Sequence, residues 1–431
     1  MKKKVCILTL GCPKNITDTE YVISSLPKDN FIFVQDIMKA NIILLNTCGF
    51  ISASIDESYN YIKVLSELKQ KKTTLQIIVF GCLVSRFGVN KLKKKFPLVD
   101  AFYPILSSSE VLNHFNTKLD YIRQTLITPF HYSYLKISDG CNRGCAFCTI
   151  PLIKGKYKSV SSAQLLKEAK SLVKKGVKEL ILIGQETTNY GQDNSNKYDF
   201  VSLLDDISKI ENVEWIRIMY THPNSFNNKI LNLMKSRRNI CHYIDMPLQH
   251  ISDNVLDKMQ RGTSSTKIKY LINSIRDTIP NIAIRSTFIV GYPGETDKDF
   301  NMLYDFLAEY KLNRVGIFKY SKEANTIGAK LPLQIPEKIK QLRFDKLMQL
   351  QQKISLENNK KFIKTKMKVL IDDIKQENNK KILIARTEFD CPEIDNSVII
   401  DANKDTKNNN YNIGNFIEVS IKKATEYDLF A

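Results

Sequence analysis

The chain has 431 residues, 43% hydrophobic and 25% charged, which excludes wholesale disorder and gives length for two or three domains with real cores. No run of about 18 apolar residues occurs, so no membrane span is expected. The formal net charge of +19 comes mostly from lysine. It suits a nucleic-acid or ribosomal partner, and it equally suits a lysine-biased composition with no electrostatic role.

The stretch from Val5 to Gly11 reads as a buried strand. It is short for a secretory apolar region and runs into polar Pro13-Lys14-Asn15 without a small-residue cleavage pattern. Residues 42–47 and 75–81 are two more continuous β-branched runs of the kind that buried parallel strands show, with a helix expected over 57–71. Each of the three runs stops immediately before a cysteine: Cys12, Cys48 and Cys82. Sites in open α/β sheets form beyond the carboxyl ends of strands, so three thiols at one sheet edge read as a three-cysteine cluster site. A single buried cysteine is ordinary core, which is the reading for Cys6 and Cys241. Cys391 follows an acidic turn and is given no role. Residues 1–115 thus form a first α/β unit, and 116–133 a linker with Thr128-Pro129 as its boundary signal.

From residue 134 strand and helix patterns alternate. Strands are expected at 134–138, 179–184, 214–220, 243–247, 283–290 and 314–320, with helices such as 163–175 and 297–309 between them. Six strands joined by helices suggest an open (β/α)6 barrel over 134–336. The loop after its first strand carries Cys141, Cys145 and Cys148. Three thiolates in this spacing wrap one side of an iron–sulfur cube and leave one iron without a protein ligand, free to bind a small molecule. A structural zinc wants a fourth ligand nearby, and disulfides do not suit a long chain without a secretory signal. This spacing is the loop signature of the radical S-adenosylmethionine (SAM) enzymes. Gly184-Gln185-Glu186 follows the second strand, where Gly184 permits close backbone approach. Arg217 and Gln249 lie at strand ends or interiors and are candidates to line the cavity, although Arg217 reads equally well as a buried ion pair. His250 reads as structural or cavity-lining. The turn from Gly291 to Thr296 lacks the lysine of a phosphate loop and reads as a turn into a helix, with Thr296 as N-cap. A long polar helix, 337–362, connects to short strands at 368–371, 382–386, 398–401 and 416–421, which suit a small antiparallel β-barrel over 363–431.

Several strings resemble the radical SAM methylthiotransferases over nearly the whole chain. They are Leu10-Gly11-Cys12-Pro13-Lys14-Asn15, Asn46-Thr47-Cys48-Gly49-Phe50-Ile51, Gly81-Cys82-Leu83, and the cysteine loop continuing as Thr149-Ile150-Pro151. Others look like the RimO type of that family, which modifies ribosomal protein S-12. These are Gly184-Gln185-Glu186-Thr187-Thr188, the run from Trp215 to Tyr220, the run from Pro247 to Asp253, the run from Phe318 to Glu323, and Pro392-Glu393-Ile394-Asp395. The resemblance implies a TRAM domain at the carboxy terminus and insertion of a methylthio group at the β-carbon of one aspartate of S-12. It implies two [4Fe-4S] clusters and SAM. Cys141, Cys145 and Cys148 would hold the cluster that cleaves SAM, and Cys12, Cys48 and Cys82 the one that delivers sulfur. By the same analogy Glu186 meets the SAM amino group beside Gly184, and the Phe147 backbone faces the adenine. No catalytic side chain beyond the cluster ligands is implied.

The expected partners are ribosomal protein S-12, met by the TRAM domain and the barrel mouth, and an electron donor such as a flavodoxin-type protein. Nucleic acid enters only as part of a ribosomal particle, and the compartment is the cytoplasm. The acidic turn at Glu393 and Asp395 is expected to face a basic protein surface. The chain departs from the family where Lys154, Lys158 and Val160 replace usual arginines, and where Glu186 replaces the usual Asp. Lysine keeps the charge but loses the bidentate fork. A tRNA methylthiotransferase is the nearest rival reading, and a non-catalytic iron–sulfur assembly factor is a rival of another class.

Overall fold

The structure is a computed structural model, and it describes residues 2–105, 108–193, 198–377, 380–402 and 411–431. The first domain is a parallel sheet of β1 (Lys3–Thr9), β2 (Phe31–Phe33), β3 (Ile42–Thr47), β4 (Gln76–Gly81) and β5 (Ala101–Pro104), in the order β2-β1-β3-β4-β5. The sequence pattern marks the three central strands and misses β2 and β5, which are three and four residues long. Both faces are covered. Ile43, Leu45, Ile77 and Val79 go to one core, and Ile42, Leu44, Ile78 and Phe80 to the other. This two-sided burial is why these strands read as unbroken apolar runs. Helix α1 (Pro13–Ser25) leaves β1, α2 (Ser52–Lys71) follows β3, and α3 (Cys82–Phe87) starts at the end of β4.

The central domain is an open barrel of six parallel strands: β6 (Tyr132–Lys136), then, past a short pair β7 (Ser138–Asp139) and β8 (Lys158–Ser159), β9 (Glu179–Ile183), β10 (Trp215–Ile218), β11 (Ile240–Asp245), β12 (Ala283–Val290) and β13 (Arg314–Lys319). Spatial order follows chain order, and each neighbouring pair is parallel. Alternation sorts each strand. Leu180 and Leu182 join the helix layer, whereas Ile181 and Ile183 turn inward with Tyr134, Met219 and Tyr243. Thr296 caps the helix after β12 as expected, with a capping box to Asp299.

Segment 116–133 spans the first two domains and is tightly anchored. Arg123 is fully buried between Glu20 of α1 at 2.6 Å and Glu168 at 2.5 Å, and Tyr21 also donates to Glu168 at 2.7 Å. Removing one member of a buried ion cluster strands the others. Arg123→Met is therefore expected to cost about 3–5 kcal/mol, read as a lower melting temperature.

Helix Glu337–Lys360 leads to the last domain, which contains β14 (Lys366–Glu377), β15 (Lys380–Thr387), β16 (Ser397–Asp401), β17 (Phe416–Ser420), β18 (Lys423–Ala424) and β19 (Asp428–Phe430). Their order is β17-β14-β15-β16-β19-β18. The sheet is antiparallel except for the parallel pair β16–β19, which the sequence pattern does not reveal.

This domain closes the end of the barrel where the strands begin. Leu370 and Cys391, with Phe389 and Phe416, join the inner cluster of Tyr132, Trp215 and Ala283. The acidic turn belongs to this plug, which corrects the expectation of a partner-facing acid for Asp395. Asp395 accepts the Tyr243 hydroxyl at 2.6 Å and pairs with Arg285 at 3.4 Å, its side chain almost wholly buried. Glu393 is exposed as a residue, but its carboxylate takes the Tyr132 hydroxyl at 2.9 Å. Burial pushes the Asp395 carboxyl up from its ordinary value, and Arg285 and the Tyr243 hydroxyl oppose that rise.

Candidate active site

The cysteine loop leaves the short strand β7 through Gly140, at φ +72°, where a Cβ would sit 2.1 Å from the Lys156 carbonyl oxygen. The loop is pinned from both sides: Ala146 N–H donates to the Met259 carbonyl at 2.9 Å, and its own carbonyl accepts Gly328 N–H at 2.6 Å. Donors surround the sulfurs. Cys141 Sγ accepts from Arg143 N–H and Cys148 Sγ from Ile150 N–H, both at 3.4 Å, and Arg261 reaches Cys145 Sγ at 3.3 Å. As a free thiol Cys148 is pushed up to about 12, mainly by burial. Such a group becomes a thiolate only beside a strong cation, which is what iron provides.

The other three cysteines meet beyond the first sheet. Cys12 is the N-cap residue of α1, Cys48 follows β3, and Cys82 opens α3. Gly11, at φ +92°, lets β1 and β3 end close together, since a Cβ there would lie 2.9 Å from Cys48 Cβ and 3.1 Å from its Sγ. The Cys82 thiol is also pushed up to about 12, first by burial, with Cys12 and Cys48 adding repulsion and Lys154 opposing it. Among the described residues no three His, Cys, Asp or Glu side chains converge on a single ion. Three thiols per group, with amide and cationic donors turned toward the sulfurs of the loop, fit the iron–sulfur expectation on donor chemistry.

The two groups are neighbours. Thr149, one residue past Cys148, donates to the carbonyl of Phe50, two residues past Cys48, at 2.9 Å. Arg86 and the Ser52 amide both bind Glu323 at 2.8 Å, which holds the first domain on the barrel mouth. Asp18 of α1 takes Lys136 on one oxygen and Lys154 on the other, the latter at 3.1 Å. Lys154, one of the positions where arginine is usual, is therefore a buried part of this domain contact.

The remaining candidates are placed as follows. Gly184 is tightly packed: a Cβ there would lie 2.5 Å from Ser138 Oγ, which would have to shift. Glu186 is buried, and its carboxylate accepts Arg143 at 2.8 and 2.6 Å and Ser225 at 2.7 Å. Phe147 packs beside Met259, Tyr292 and Tyr320. Gln249 sits at φ +74° at the barrel rim, bridged to Phe288 of β12. Arg217 lies at the plugged end, fully buried against Glu179 at 2.7 Å and the Glu388 carbonyl at 2.7 Å, away from the cysteine loop. His250 is fully buried and pushed down to about 3 by desolvation, so it is neutral, accepting from the Ser252 amide at 3.0 Å. The sequence reading missed Arg143, Ser225 and Arg261. Arg143 stands inside the cysteine loop and was legible there; Ser225 and Arg261 arrive by tertiary folding and carry no spacing signal.

An open parallel barrel with three cysteines in the loop after its first strand defines the chain as a radical SAM protein by class. Residues 135–307 match the Radical SAM superfamily, residues 4–104 the uncharacterized protein family UPF0004, and residues 363–431 the TRAM domain. Ribosomal protein uS12 methylthiotransferase RimO of Flavobacterium johnsoniae is 40% identical, with 100% of this chain and 98% of that protein covered. The RimO proteins of Flavobacterium psychrophilum and Desulforamulus reducens are 41% and 37% identical, covering 100% and 98% of this chain and 98% of each relative. The chain belongs to the RimO family of radical SAM methylthiotransferases. Among solved structures, the radical SAM methyltransferase TsrM from Kitasatospora setae aligns with a TM-score of 0.54 at 12% identity over 74% of this chain and 72% of that one. The cobalamin-dependent enzyme OxsB aligns at 0.52 and 15% over 82% and 56%. At that identity the likeness concerns fold alone.

Proposed function

We propose that this chain transfers a methylthio group to the β-carbon of an aspartate of ribosomal protein uS12. The observation that carries the reading is the pair of three-cysteine groups joined by the Thr149–Phe50 contact at 2.9 Å. Cys141, Cys145 and Cys148 would hold one [4Fe-4S] cluster, and Cys12, Cys48 and Cys82 the other. When bound, the clusters and SAM supply one-electron cleavage of SAM, hydrogen abstraction from an unactivated carbon, sulfur and methyl.

The protein's part is to bind, orient and exclude water. Arg261 and the amides of Arg143 and Ile150 stabilise negative sulfur in the loop. Glu186 offers a carboxylate to the SAM amino group, in exchange with the Arg143 guanidinium that it holds here. Gln249 and Phe147 complete the rim. We assign Arg217 to the barrel plug. The electron source is a small low-potential protein of flavodoxin type, and the compartment is the cytoplasm.

Intact-mass analysis of uS12 from cells with and without this protein tests the reading. A methylthio increment on uS12 only when the protein is present is expected. An increment on tRNA and none on uS12 would establish the rival, and no increment on either would favour the non-catalytic one.

A further inference from the structure

Lys14 is a buried cation without an anion. Its residue is 8% exposed, and it enters no ion pair among the described residues. Its ammonium lies 3.5 Å from the Gly184 carbonyl oxygen and 3.5 Å from the centre of the Tyr220 ring. The nearby carboxylates are all engaged elsewhere. Asp18, one turn further along α1, gives its two oxygens to Lys136 and Lys154. Glu186 holds Arg143 and Ser225. Asp245 holds Arg285 at 2.8 Å and the Tyr220 amide at 2.9 Å. A carbonyl and a ring use few of an ammonium's donors, which leaves it able to take a charged ligand.

Two further observations concern the residues that Lys14 touches and their neighbours in the chain. Tyr220, whose ring carries the ammonium, stands at φ +58°, a left-handed conformation that costs an aromatic residue energy and clusters at functional sites. Gln185, next to Gly184, has both carboxamide atoms buried with no hydrogen-bond partner. Lys14 is two residues past Cys12 on α1 and touches the loop that carries Glu186, so it bridges the sulfur-side cysteines and the SAM side.

The geometry points to Lys14 as the cation that receives the carboxylate of the substrate aspartate. This rests on the function proposed above. The ammonium fixes the carboxylate and thereby the adjacent β-carbon, and it selects an acidic side chain over its amide.

A double-mutant cycle tests the assignment. Binding of recombinant uS12, and of uS12 with the modified aspartate replaced by asparagine, is measured on the cluster-loaded wild-type enzyme, on Lys14→Gln and on Lys14→Arg. The wild type is expected to prefer the aspartate form by about 30-fold or more. Lys14→Gln is expected to erase the preference, and Lys14→Arg to keep part of it. Equal preference in wild type and Lys14→Gln overturns the assignment, as does a wild type that modifies uS12 yet binds both forms alike. A Lys14→Gln protein with less iron than the wild type also overturns it, because the ammonium then serves the thiolates. If the wild type leaves no methylthio increment on uS12, the functional reading itself has failed.

Discussion

Cys148→Ala is expected to abolish formation of 5′-deoxyadenosine from SAM. Three thiolates are the fewest that hold a cube with one iron open, and the loop offers no replacement. Cys148 sits where the loop turns into the short helix Ile150–Lys154, with Ile150 N–H on its sulfur. Alanine removes the sulfur and leaves that amide without its acceptor, while the loop stays pinned through Ala146 to Met259 and Gly328. The fold should therefore survive and the cluster of this loop should not. About four irons per chain are expected instead of about eight after anaerobic reconstitution. Chromatography of the small-molecule products provides the readout. Normal 5′-deoxyadenosine from the variant, at full yield, would overturn the ligand assignment.

Much of this was legible because buried parallel strands read as unbroken apolar runs. Val5, Ile42–Thr47 and the run into Gly81 announced a two-sided sheet, and each ended at a cysteine. What the sequence could not supply was partner choice across long separations. Asp395 looks like a surface acid in a Pro-Glu-Ile-Asp turn. It is buried because Arg285 and Tyr243 point inward from β12 and β11, and strand alternation alone does not say which end of a barrel another domain closes. Arg123 looks like one basic residue in a polar linker, yet Glu20 and Glu168, distant in sequence, make it a core residue. Lys14 was visible as a letter in the string after Cys12. Its lack of an anion became visible only once Asp18 was seen to be taken by Lys136 and Lys154.

Cys48→Ala is expected to separate the two halves of the chemistry. Cys48 belongs to the first domain. It is held by Ser58, which donates to its carbonyl at 2.8 Å and accepts its amide at 3.2 Å, so the backbone there does not depend on the sulfur. Alanine keeps the Cβ and removes only the sulfur, so no clash follows. The barrel loop takes its shape from backbone hydrogen bonds to Met259, Gly328 and Gly155, and none of these bonds involves Cys48. SAM cleavage should thus persist, while uS12 gains no methylthio mass. The iron content should again fall to about four per chain, this time with the SAM-cleaving cluster retained. The paired outcome is what makes the experiment decisive. If Cys48→Ala and Cys148→Ala gave the same products, a single shared centre would replace the two-centre reading. If Cys48→Ala still transferred sulfur, the three cysteines beyond the first sheet would be ordinary buried thiols.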